Sequence, residues 1–185
     1  MKQIALLMLA LGLVFAAGCD RIASETYGKV VGPKGFSADV RPVSPQDEAS
    51  LAKCTHFQLT RLEDETNGRT PPSFFVSMPY EFDKILADRK IINAPGRTLI
   101  IRGRVIYYEN SSMASEIFGP HEEVITRIQF VDKDSGKVLG EAVCVGRTRE
   151  TLNRGPEKKA AGLSRAIVGW LEAHDPGLRR APDSD

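Results

Sequence analysis

Neither sign of charge is in excess in this chain. Its 185 residues carry 25 basic and 24 acidic side chains. The only charge in the first 18 residues is Lys2, so the rest of the chain is balanced at 24 against 24. Nucleic-acid binding needs a clear basic excess, and a disordered solvating chain needs high net charge with little apolar residue. The sequence supports neither, and no nucleic-acid partner is expected. Cysteine is scarce, with three residues and no Cys-x-x-Cys, which argues against zinc or dithiol redox chemistry. The three histidines, His56, His121 and His174, have no metal-ligand spacing. Asp132 and Asp134 begin like a calcium loop, but the glycine comes one position early and Val143 stands where the closing glutamate belongs. Gly-x-Ser-x-Gly and phosphate-binding glycine loops are also missing. These absences predict a chain without cofactor, metal or catalytic centre.

What is present starts at the N-terminus. Lys2 is followed by an apolar run from Ile4 to Ala17, broken only by Gly12. Fourteen residues suit the core of an export signal and fall short of the roughly 18–20 that a membrane span needs. The run ends Ala16-Ala17-Gly18-Cys19, which resembles the lipobox of bacterial lipoproteins, although that pattern prefers leucine where Ala16 stands. The resemblance implies cleavage after residue 18 and acylation of Cys19 by diacylglycerol and palmitate-like chains. The competing reading is an ordinary signal peptide with a coincidental cysteine. Two or three acyl chains anchor a protein durably, at ~0.8 kcal/mol per buried methylene. Asp20 resembles an inner-membrane retention signal, so the expected place is the periplasmic side of the inner membrane, with the outer membrane as alternative. With Cys19 lipidated, Cys54 and Cys144 remain as a candidate disulfide in an oxidising compartment. Both share parity with residues pointing away from the expected core. Two buried free thiols are the alternative.

Residues 19–50 carry Gly28, Gly32, Pro33, Gly35, Pro42 and Pro45 without a helical stripe, and read as a tether. Val30-Val31 or Ala38–Val43 are the parts suited to weak pairing with the domain. The domain is expected over 51–175 and a frayed tail over 176–185. Thr55, Phe57 and Leu59 alternate with polar neighbours, as in a strand. Phe74-Phe75-Val76 reads as a brief second strand, and Ser77 with Pro79 as a helix start carrying Phe82, Ile85 and Leu86 inward. Thr98 to Glu109 is the clearest strand, with Leu99, Ile101, Val105 and Tyr107 on one face. Glu122 to Asp132 and Lys137 to Arg147 follow, joined by the tight connection Asp132–Gly136. A last helix opens at Gly155-Pro156 and turns Ala160, Leu163, Ile167, Trp170 and Leu171 inward. The order β-α-β-β-β-α predicts an α+β fold, with an antiparallel meander and two helices on one face.

That alternation aims Arg102, Arg104, Arg127 and Gln129 away from the core, with His56 and Gln58 beside them if their strand joins the sheet. Arginines on an open sheet face suit a protein partner or an anionic glycan. A merely solvated face is the alternative, since one-sided antiparallel sheets always have one.

Thr98–Val105, Asp134–Leu139, Gly146 and the small-residue helix ending Val168-Gly169-Trp170-Leu171 resemble an uncharacterised family of bacterial lipoproteins over residues 50–172. Such families are similar to small α+β envelope domains, including the lipoprotein activator of penicillin-binding proteins and the N-terminal domain of TolB. The resemblance implies partner binding rather than chemistry, and carries over no site residue. The expected function is therefore a non-enzymatic accessory role in the cell envelope. The alternatives are a structural subunit of a transport or secretion complex, and a cell-wall hydrolase built on Glu122 or Glu123 near His121.

Overall fold

The structure is a computed structural model, described over residues 33–109, 122–148 and 155–178. The lipidation candidate Cys19, the export segment, residues 19–32 and the tail beyond residue 178 lie outside the described residues.

Three long strands form the centre. β4 (Thr98–Tyr108), β5 (Glu122–Asp132) and β6 (Val138–Thr148) pair antiparallel in sequence order. This is the expected meander, and the alternation of apolar and polar residues sets which side of each strand is buried. The sheet extends at both ends with strands of weaker pattern. β1 (Lys34–Asp39) adds antiparallel to β6. On the far side, β2 (His56–Leu59) and the two-residue β3 (Glu63–Asp64) add parallel to β4. The sheet is therefore mixed, in the order β1-β6-β5-β4-β2. A parallel partner needs a crossover, and the helix Pro72–Asp88 supplies it between β2 and β4.

Three helices accompany the sheet. α1 (Pro45–Leu51) starts at Ser44, whose hydroxyl accepts the Asp47 amide at 3.2 Å, with proline in the first turn. Lys137 of the β5–β6 connection reaches Asp47 at 2.6 Å and ties α1 to the sheet. α2 (Pro72–Asp88) buries Phe74, Met78, Phe82, Ile85 and Leu86, one stripe at helical spacing. α3 (Pro156–His174) lies across β1 and β6 and packs against α2. Its approach to the sheet is close because glycines face each other. A methyl on Gly146 would stand 2.5 Å from the Leu163 nitrogen, and one on Gly35 2.3 Å from the Ala166 nitrogen. Trp170 stacks on Phe130 at 3.6 Å and donates its indole N–H to Asp39 at 2.6 Å. Phe74 of α2 meets Tyr108 of β4 edge-to-face at 5.5 Å. Both long helices thus share one face of the sheet and a single core.

Four expectations are corrected. The domain begins before residue 51, because β1 and most of α1 lie within the stretch read as tether and are joined to the sheet. Phe74-Phe75-Val76 is helix rather than strand. A three-residue apolar run fits either period, and α2 starts at Pro72 and runs through Pro79. Tyr107 and Tyr108 exchange places because the register shifts between Val105 and Tyr107, leaving Tyr108 4% and Tyr107 43% exposed. Cys144 faces inward at 0% exposure, and Cys54 is buried in the loop after α1.

The cysteines are free and far apart. Cys54 precedes β2, whose register starts opposite Thr98, while Cys144 pairs with Thr126 and so lies level with Val105. Two strands intervene, so the separation is roughly 14 Å across the sheet and roughly 20 Å along it. A disulfide needs Cα atoms within about 7 Å. Burial pushes the Cys54 thiol up to about 11 and Cys144 up to about 12, so neither is a ready nucleophile.

Candidate interaction face on the open side of the sheet

The face opposite the helices is laid out in cross-strand rows. One row is apolar: Phe36 of β1 is opposite Val145 of β6, Val145 opposite Ile125 of β5, and Ile125 opposite Tyr107 of β4. Its two aromatic ends are 49% and 43% exposed. Cross-strand neighbours on one face touch, so the four side chains form one strip across the sheet.

Charged rows flank this strip. On one side Arg147 pairs with Glu123 and places its guanidinium 5.7 Å above the Phe36 ring. On the other side Arg104 and Arg127 stand directly opposite each other. Like charges in that position repel. Each is relieved outward: Arg104 donates to Glu65 at 2.9 Å and Arg127 to Glu141 at 2.5 Å. The next row pairs Arg102 with Gln129, whose Oε1 accepts from Nε at 3.3 Å and Nη2 at 3.2 Å. Gln58 is exposed at the sheet's β2 end, opposite Ile100, and His56 is half-buried.

The four expected residues, Arg102, Arg104, Arg127 and Gln129, therefore do share one face. They are coupled to their own carboxylates and amide rather than presented as free cations. Exposed pairs of this type contribute little stability, about 0–1 kcal/mol each, but they fix side-chain directions. Sequence reading missed the apolar strip. Three of its members lie on β1, β6 and the shifted end of β4, where parity was unassigned or inverted. Glu141, Val143, Val145 and Arg147 share one parity on β6, and that was the available signal.

On the helix side the ionisable groups are clamps. Lys159, in the first turns of α3, pairs with buried Glu122 at 3.2 Å and lies 4.1 Å from the centre of the Tyr108 ring. Burial draws the Lys159 ammonium below its ordinary range and pushes the Tyr108 phenol above its own. Glu123 points the other way, to Arg147, so these two acids diverge on opposite faces of β5. His121 lies outside the described residues. Among the described residues no cluster of three or more His, Cys, Asp or Glu side chains could hold a metal ion. No described helix is long and apolar enough to cross a membrane.

The fold is thus an α+β domain with a mixed sheet, covered by helices on one face and, among the described residues, open on the other. No protein-family model matches the chain. No curated protein matches it at a significant level. Among solved structures, a variant of the PelC dodecamer from Paraburkholderia phytofirmans is 11% identical, covering 78% of this chain and 98% of that one at a TM-score of 0.47. A second crystal form of the PelC dodecamer is 14% identical, covering 75% and 96% at 0.47. A candidate lipoprotein from Caulobacter crescentus is 16% identical, covering 74% and 99% at 0.37.

Proposed function

We propose that this chain is a lipid-anchored accessory protein of the bacterial cell envelope, without catalytic chemistry of its own, that binds a protein partner through the open face of its sheet. The anchor reading rests on Lys2, the apolar run and Ala16-Ala17-Gly18-Cys19. Asp20 favours the periplasmic side of the inner membrane.

The observation that carries the binding reading is the strip Phe36–Val145–Ile125–Tyr107 on a face that no described helix covers. Aromatic anchors flanked by ordered charges have the layout of a protein interface, an apolar centre with a polar rim. The pairing of Arg104 and Arg127 with carboxylates favours a protein over an anionic glycan, which would have to displace Glu65 and Glu141.

The test is photo-crosslinking in cells, with a photoreactive residue at Tyr107 or, as control, at exposed Lys84 on α2. The expected result is a discrete adduct from position 107 that position 84 does not give. Cys19→Ala is expected to move the protein out of the membrane fraction. Identical adducts from both positions, or none from 107, would refute the binding face. Unchanged fractionation of Cys19→Ala would refute the anchor.

A further inference from the structure

We infer that β1 is a docking edge for a second copy of this chain, the two β1 strands running antiparallel with Ser37 on the two-fold axis. The sheet ends on β1, and among the described residues no strand pairs with its outer side. The Val40 amide donates to the Glu141 carbonyl at 2.9 Å, continuing the ladder one residue past the strand. Hydrogen-bonding direction alternates along an antiparallel strand, so Phe36 and Ala38 also turn their backbone groups to β6. Those of Gly35, Ser37 and Asp39 then face the free edge.

Edges are usually blunted by bulges, internal prolines or inward charges. β1 has a continuous register from Lys34 to Asp39 and no internal proline. Its residues from Phe36 onward are exposed.

The strand is complementary to itself in this register. Gly35 meets Asp39 of the other copy, Ser37 meets its own mate and Asp39 meets Gly35, giving about six backbone hydrogen bonds. On the open face Phe36 falls against Ala38 of the other copy, large against small, and Lys34 against Val40. These are the closer, non-hydrogen-bonded positions, with Cα atoms about 4.5 Å apart. Charge agrees on the helix side. Arg165 donates to the Pro33 carbonyl, so its guanidinium sits beside Gly35. The carboxylate of Asp39, one-third exposed at the other end of β1, is brought toward the Arg165 of the second copy. Symmetry makes both contacts twice, as an isologous interface requires. The apolar strip of each copy, which ends at Phe36, then approaches that of its neighbour.

Paired cysteines test the register in the full chain, in membranes of the cells that make it. Lys34→Cys and Val40→Cys chains are expected to form a disulfide-linked dimer when co-expressed and oxidised, and none when either is expressed alone. Cys54 and Cys144 are buried and do not compete. Ser37→Pro removes an amide aimed at the free edge and none that bonds β6. It is expected to convert the detergent-solubilised protein from dimer to monomer by sedimentation, with its far-ultraviolet spectrum unchanged. If Ser37→Pro does not fold, the cysteine pair still decides. A wild-type chain that sediments as a monomer, the same bridging by the single variants, or a dimer that survives a folded Ser37→Pro would each overturn the inference. The Tyr107 adduct reads a different surface, so its presence with no Lys34–Val40 bridge would overturn the dimer alone.

Discussion

Asp132 shows how much one side chain contributes to the shape of this sheet. It closes β5, is buried, and accepts from Arg97 Nε at 3.0 Å and Nη2 at 2.7 Å, and from the Ser135 hydroxyl. Arg97 precedes β4 and Ser135 lies in the β5–β6 connection, so one carboxylate joins three segments. The Arg97 hydrogen bonds, and then that of Ser135, hold its carboxyl well below the usual carboxylate range, against the opposing effect of burial. A pKa lowered in the folded state adds stability that is complete above the unfolded value, about 3.9, and is lost as pH falls through the folded one. Asp132→Asn is therefore expected to destabilise by about 1–3 kcal/mol at neutral pH. The gap to wild type should hold down to about pH 5 and narrow below about pH 4. Thermal unfolding of both proteins across pH 3–7 checks this, and a gap that widens on acidification would refute the role. The sequence identified Asp132–Gly136 as a tight connection. It did not reveal Arg97 as the partner, because an ion pair across 35 positions has no local pattern.

Among elements, α3 is set apart by how closely it lies on the sheet. The small-residue character of this helix was visible in the sequence, but not which glycines of the helix and the sheet make contact. Gly146 does, because its missing methyl would meet the Leu163 nitrogen at 2.5 Å and the Lys159 carbonyl at 2.7 Å, both backbone atoms that cannot rotate away. Gly169 does not, since nothing lies within 4 Å of a methyl there. The two substitutions should therefore have opposite signs. Gly146→Ala pushes α3 off β6 and is expected to cost about 1–3 kcal/mol or more. Gly169→Ala only restricts the unfolded chain and is expected to gain about 0.5–1 kcal/mol. Urea midpoints of the two variants decide it, and equal shifts would show that the close approach is not limiting. The central strands were legible for the opposite reason: β4, β5 and β6 are each half-buried over eleven residues, so period two runs long enough to read. The shift near Tyr107 was not legible, because an inserted residue reverses parity without changing composition.

For the whole molecule, the question is where the folded unit starts. Reading by pattern put the boundary at residue 51, because Lys34–Asp39 shows neither alternation nor an apolar run. The physical reason is position: an edge strand with one exposed face needs few buried side chains, and most of β1 is exposed. Its contribution lies instead in backbone pairing with β6, the close fit of Gly35 on α3, and the Asp39 carboxylate that accepts the Trp170 indole. Val43 before α1 and Leu51 at its last position add apolar contact, and Lys137 holds α1 from the hairpin. A chain starting at residue 51 keeps Leu51 but loses all the rest at once. It bares the β6 ladder, opens the groove where α3 meets Gly35, and leaves a buried indole N–H without its acceptor, which alone costs about 1–3 kcal/mol. A chain starting at residue 33 keeps them. The shorter protein is therefore expected to aggregate or to lose its cooperative urea transition, and the longer one to unfold in a single step. If instead the chain from residue 51 unfolded cooperatively at an unchanged midpoint, β1 and α1 would be appendages of the domain and not part of it.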